Sequence, residues 1–82
     1  MRKDELLAFL EFYRSKLKYH TVYLNRKALE QFAIGYFLDS KSNKFLVYEV
    51  SERQSLIEIA SFKNEEEAIA EFYEIVKYRC RI

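Results

Sequence analysis

Glycine and proline are almost missing from this chain. It has one Gly, Gly35, and no Pro in 82 residues, where average usage would supply about six and about four. A loop that cradles phosphate needs several glycines so that its backbone can approach the ligand, and that class of nucleotide site is excluded. Proline-rich linkers and ligand motifs are excluded with it. Thiol and imidazole are as scarce, with one Cys (Cys80) and one His (His20). A single thiol closes no internal disulfide, and one His with one Cys falls short of a His/Cys zinc cage. Neither sign of charge dominates. Fourteen Lys/Arg against thirteen Asp/Glu give a net +1, which argues against a dedicated nucleic-acid binder. No stretch approaches the ~18 apolar residues of a membrane span. The N-terminal run MRKDELLAFLEF has a basic tip, but Asp4, Glu5 and Glu11 interrupt its apolar part. It reads as a helix and not as a secretion signal. With one unpaired thiol and no export signal, the expected compartment is the cytoplasm.

What is present belongs to a folded chain. Half of the residues are hydrophobic, 17% are aromatic and 33% are charged, a balance unlike that of disordered segments. Residues 1–82 are expected to form a single small α+β domain. Leu6, Leu10, Tyr13 and Leu17 recur at helical spacing and predict a first helix over 4–18, with Asp4 as its cap. Leu7, Phe9 and Phe12 fall outside that stripe. The extra apolar surface makes a homodimer plausible.

Residues 19–31 read as a packed connection, with a short strand at Tyr19–Leu24 or a helical turn at Arg26–Gln31 as options. Three β-rich runs follow, at Ala33–Leu38, Lys44–Val50 and Ser55–Phe62. Polar breaks of four to five residues separate them, a length suited to hairpins. Asn43 is the best candidate for a left-handed residue in those breaks. Asn64, three residues before Glu67, predicts a capping box for a last helix. Ala68, Phe72, Ile75 and Val76 form its apolar stripe, and Lys77, Arg79 and Arg81 crowd its C-terminal end. The expected fold is α-β-β-β-α, a three-stranded antiparallel meander flanked by N- and C-terminal helices. Its expected core is Leu6, Leu10, Tyr13, Ile34, Tyr36, Leu46, Tyr48, Ile57, Ile59, Phe72, Ile75 and Val76.

The residues offer no catalytic constellation. Cys80 reads as a packed small side chain and His20 as a surface or capping residue. Glu65, Glu66 and Glu67 serve the helix dipole, and Glu71 and Glu74 lie on the solvated face of the helix. The expectation is a non-enzymatic protein with no cofactor and no metal.

Two interaction surfaces are candidates. From Phe12 to Leu29 there is no acidic residue, and Arg14, Lys16, Lys18, Arg26 and Lys27 are interleaved with Tyr13, Tyr19 and Tyr23. Cations beside stacking rings suit a single-stranded nucleic acid, and Arg14, Lys16, Lys18, Tyr19, Tyr23, Arg26 and Lys27 are that site. The second surface is on the sheet. Alternation puts Phe45, Val47 and Glu49 on one face and Leu46, Tyr48 and Val50 on the other. Unpaired buried carboxylates are costly, so Glu49 and Glu58 are expected to mark an outward face. Both helices would then cover the Tyr48/Ile57 side. That leaves Phe45, Val47, Glu49, Glu52, Arg53, Glu58 and Phe62 open to a protein partner.

The C-terminal half carries a resemblance. Residues 34–76 contain IGYFLD, KFLVYEVSER, LIEIASF and NEEEAIAEFYEIV. This pattern resembles the small α+β immunity proteins of bacterial polymorphic toxin systems. In several of those families an aromatic-rich hairpin strand ends in Glu-Arg-Gly. A strand ending in Phe, an acidic cap and an Ala-containing helix then follow. Glu52-Arg53 stand at the matching place, with Gln54 in place of the Gly. Phe62 and Glu65-Glu66-Glu67-Ala68 match as well. The resemblance spans about half of the chain and rests mainly on fold motifs. It implies a cytoplasmic binder that neutralises a cognate toxin. The near-neutral charge points to a toxin domain of mixed surface and away from a strongly basic nuclease.

Overall fold

The computed structural model describes all 82 residues. The chain runs α1 (Lys3–Phe12), a 3-10 turn (Arg14–Lys16), β1 (Thr21–Tyr23), β2 (Ala33–Asp39), β3 (Lys44–Val50), β4 (Leu56–Phe62) and α2 (Glu65–Cys80). The α+β class and the two flanking helices are as expected. The sheet differs, because it has four strands in the order β1-β2-β3-β4. The antiparallel meander forms its larger part, and β1 adds to β2 in parallel, Val22 opposite Ile34. Parallel neighbours need a crossover. Here residues 24–32 supply it without a helix.

That crossover explains a second difference. Both helices pack on the sheet face that carries Ile34, Tyr36 and Val47, where they join Leu6, Leu10, Ile69, Phe72 and Val76 in the main core. The expected open face is therefore the helix-covered one. The opposite face holds Ala33, Tyr48 and Val50 in a smaller cluster with Tyr23, Phe37 and Leu56. The crossover is fastened there by the Tyr48 hydroxyl, which donates to the Arg26 carbonyl (2.7 Å) and accepts from the Ala28 N–H (3.0 Å).

The rule that sent Glu49 outward failed because the carboxylate is not unpaired. Arg79 of α2 grips it with two hydrogen bonds of 2.8 and 2.7 Å. A charged acceptor held by two donors loses less on leaving water. β4 added to the error. A register shift opposite Val47/Tyr48 leaves Ile59 without a direct partner, so Ile57 pairs with Glu49 and Ala60 with Val47. A bulge of this kind interrupts simple alternation. Ile57 is accordingly 46% exposed, while Leu46, Ile59, Ile75 and Tyr13 are half-buried.

α2 starts as expected. The Asn64 side chain accepts from the Glu67 N–H at 2.9 Å, and its amide donates to the Glu67 carboxylate at 2.6 Å. α1 starts earlier than expected. Its cap residue is Arg2, whose N–H donates to Glu5 at 2.9 Å, and Asp4 lies within the first turn. It also ends earlier, at Phe12, and the chain tightens into the 3-10 turn before Lys18 takes a left-handed conformation (φ 55°). Asn43 is left-handed in the first hairpin loop (φ 58°), and Gln54 takes the same role in the second (φ 62°). Leu7 and Phe12 remain exposed on α1. No helix is long and apolar enough to cross a membrane.

Candidate functional site

One end of the sheet gathers the start of β2, the end of β3 and the start of β4. The C-terminal turn of α2 hangs over that end, and the Lys18–His20 bend closes it from the side. Between them lies a groove of about 890 Å³, floored by Ala33, Ile34, Val50 and Ile57 and walled by Tyr19, His20, Phe32, Tyr78, Lys77, Arg79 and Arg81. A smaller recess of about 210 Å³ continues it past Tyr19, His20, Arg79 and Arg81 to Lys16, Lys18 and Cys80. Five Lys/Arg side chains and a single carboxylate, Glu49, border the two. Arg79 neutralises that carboxylate. Lys77 lies 3.8 Å from Glu74, and Lys16, Lys18 and Arg81 form no ion pair.

The aromatic wall is held from behind. His20 Nδ1–H donates to the Phe32 carbonyl at 3.1 Å, which places the proton of a neutral ring on Nδ1. Phe32 meets Tyr19 edge-on at 4.9 Å, and His20 lies 4.6 Å from the same ring. The Phe32 N–H in turn donates to the Val50 carbonyl at 3.1 Å, which ties the bend to the end of β3. On the other wall the Arg79 guanidinium stacks over Tyr78 at 5.5 Å. Phe32 holds a left-handed backbone (φ 63°), an uncommon conformation for a bulky side chain.

The folded chain divides the basic stretch. Lys16, Lys18 and Tyr19 reach the groove. Arg14 pairs with Glu11 at 2.5 Å on the surface of the N-terminal segment. Tyr23 hydrogen-bonds to Glu30 and carries Arg26 at 5.4 Å, and Lys27 sits 5.7 Å over Phe37. Those last three side chains belong to the crossover side of the sheet, so the seven residues do not form one surface.

The acidic sheet surface is also corrected. Val47 is fully buried, and Phe45 and Phe62 are half-buried against the main core under the helices. Glu49 is engaged by Arg79. Glu52, Arg53 and Glu58 alone remain exposed. Sequence reasoning missed Phe32 and Tyr78 as site residues and placed Lys77, Arg79 and Arg81 only at the C-terminal end of the last helix. The available signal was the segment KYRCR, three cations and a tyrosine in five residues.

Cys80 and His20 border the same small recess, but no hydrogen bond joins them. Burial pushes the Cys80 thiol up, and the charge of Lys18 only partly offsets this. A nucleophilic Cys needs the opposite shift. Cys80 is expected to alkylate more slowly at pH 7–8 than a free thiol, whose pKa is about 8.5, and Lys18→Gln is expected to slow it further. Iodoacetamide labelling followed by mass spectrometry measures this. A neutral-pH rate equal to that of a free thiol would contradict it. No three His, Cys, Asp or Glu side chains converge as metal ligands. Comparison with protein-family models, with curated proteins and with solved structures returns no match.

Proposed function

We propose that this protein is a non-catalytic binding protein that takes an anionic partner into the groove between α2 and the Lys18–His20 bend. The observation that carries this reading is the meeting of Lys16, Lys18 and Arg81, all without ion-pair partners, beside a preformed concave wall. Like charges are gathered at a cost, and an opposite charge relieves it. α2 also directs its C-terminal carbonyls toward this end. That dipole is worth about half a negative charge, which the three cations outweigh. The test is retention on heparin resin, a generic polyanion. The wild type is expected to be held at low salt and released as salt rises, and the triple variant Lys16→Gln, Lys18→Gln, Arg81→Gln to flow through. Wild-type flow-through at low salt would end this reading.

A toxin-neutralising role is the second reading, favoured by the exposure of Glu52, Arg53 and Glu58 at and beside the β3–β4 hairpin. Exposed charges of both signs can steer and register a protein partner. Its test is co-purification with, and protection against, a toxin domain encoded by a neighbouring reading frame. Failure of both would remove it.

A further inference from the structure

The groove specifies more than a sign of charge. We propose that it binds single-stranded nucleic acid, with bases stacked on Tyr19 and Tyr78 and phosphates paired with Lys16, Lys18 and Arg81. This rests on the anion-binding reading above and names its ligand.

Two exposed rings point to bases. Tyr19 is 65% exposed and Tyr78 75% exposed, unusual for large aromatics with no partner to cover them. They are nevertheless fixed. Phe32 and His20 back Tyr19, and Arg79, itself locked by Glu49, covers one side of Tyr78. A rigid ring with a free surface is a stacking platform for a base.

The free cations point to phosphate. Carboxylates of an acidic peptide favour the forked guanidinium, but Arg79 already spends its fork on Glu49. The unpaired charges are two lysines and Arg81. A free guanidinium fork fits phosphate as well as carboxylate, and it is the stacking rings beside these cations that suit a phosphate backbone with splayed bases better than a peptide. A duplex keeps its bases stacked inside, out of reach of Tyr19 and Tyr78.

Left-handed backbone occurs at the same place. Lys18, Phe32 and Arg81 have φ of 55°, 63° and 56°, and all three border the groove or its recess. Asn25, Asn43 and Gln54 share this conformation in loops elsewhere, and Arg81 takes it as the C-cap of α2, so bulky Phe32 is the outlier that marks the groove.

Fluorescence anisotropy with labelled oligo-U and oligo-dT of about 12 nucleotides, a length within the usual site-size range, tests the proposal. A matched duplex is the third probe. Both single strands are expected to bind more tightly than the duplex, and a difference between them reports a contact to the 2′-hydroxyl. Three phosphate contacts predict an affinity loss of about 20-fold between about 50 and about 200 mM salt. Tyr19→Ala and Tyr78→Ala are each expected to weaken binding about tenfold, and Tyr→Phe at either position to keep it. Lys18→Gln is expected to lower the salt slope, whereas Arg14→Gln and Lys27→Gln leave affinity unchanged. Circular dichroism of each variant establishes that it is folded.

Duplex binding as tight as single-strand binding, or an unchanged affinity in folded Tyr19→Ala and Tyr78→Ala, would overturn the proposal. So would a preference for poly-glutamate over both oligonucleotides. If heparin is retained while no oligonucleotide binds, the nucleic-acid ligand is wrong and the anionic groove stands. If neither binds, both readings fail.

Discussion

Gly35→Ala is expected to destabilise this protein by about 3 kcal/mol, the upper part of the usual range for overpacking. Gly35 does not need glycine for its backbone, since its φ is not positive. The reason is space. A Cβ at this position would meet the Tyr23 carbonyl oxygen at 2.7 Å and the Tyr48 hydroxyl and Cζ at 2.7 and 2.8 Å. The tyrosine ring is pinned, because its hydroxyl holds Arg26 and Ala28. The carbonyl is backbone of β1, directly opposite Gly35 in the parallel ladder. Relief therefore requires β1 to separate from β2 or the crossover to lift. Alanine also restricts the unfolded chain, a gain of about 0.4–1 kcal/mol, which is too small to compensate. Thermal melting should show a fall of at least about 12 °C for a domain of this size. Adding Tyr48→Phe is expected to give no net rescue, because the contacts with the Tyr23 carbonyl and the ring Cζ remain and the Arg26 carbonyl and Ala28 N–H lose their partner. A melting temperature within about 3 °C of the wild type, under about 1 kcal/mol on the same scale, would contradict the packing described for this strand.

Phe72→Ala is expected to cost more still, about 3–5 kcal/mol. Phe72 is fully buried where α2 crosses the sheet, and its ring meets Tyr36 edge-on at 5.9 Å. Leu6 and Leu10 of α1 belong to the same cluster, so the cavity would lie where both helices and the sheet meet. A domain of 82 residues has a total stability of about 4–12 kcal/mol, and the variant is expected to lose at least about a quarter of it. Phe12→Ala is the control. Phe12 is 78% exposed, and a surface change of this kind usually stays within about 0.5 kcal/mol. Denaturant titration of the two variants should differ sharply in midpoint. Similar losses would mean that α1 and α2 do not bury the face described.

The sequence made α2, its Asn64 cap and the three-stranded meander legible, because each rests on local chemistry. Periodicity, capping and loop length act within a few residues. β1 was harder to read. Three residues in parallel pairing carry little pattern of their own, and their partner lies beyond a crossover held by the Tyr48 hydroxyl. Which face the helices cover was misread for one reason. A carboxylate at 49 signals solvent unless its partner is known, and Arg79 is thirty residues away. The bulge in β4 then separated Ile57 from the core.

The groove was half legible. Lys16, Lys18 and Tyr19 stood out within a basic stretch, yet Tyr23, Arg26 and Lys27 of that stretch lie on the other side of the sheet. Their actual companions, Tyr78, Arg79 and Arg81, come from the end of α2. A near-neutral total charge concealed the concentration of cations at one end. The acids that balance them are spread over the rest of the chain, among them Glu65, Glu66 and Glu67 at the opposite end of α2.

The central claim is that residues 16–20, Phe32 and residues 77–81 form one anion-binding surface. The most direct measurement is an amide chemical-shift titration of the labelled protein with a short heparin oligosaccharide. The account predicts that Lys16–His20, Phe32 and Lys77–Arg81 shift together with one affinity that weakens with salt. Shifts confined to Tyr23–Lys27, or centred on Glu52–Glu58, would contradict it.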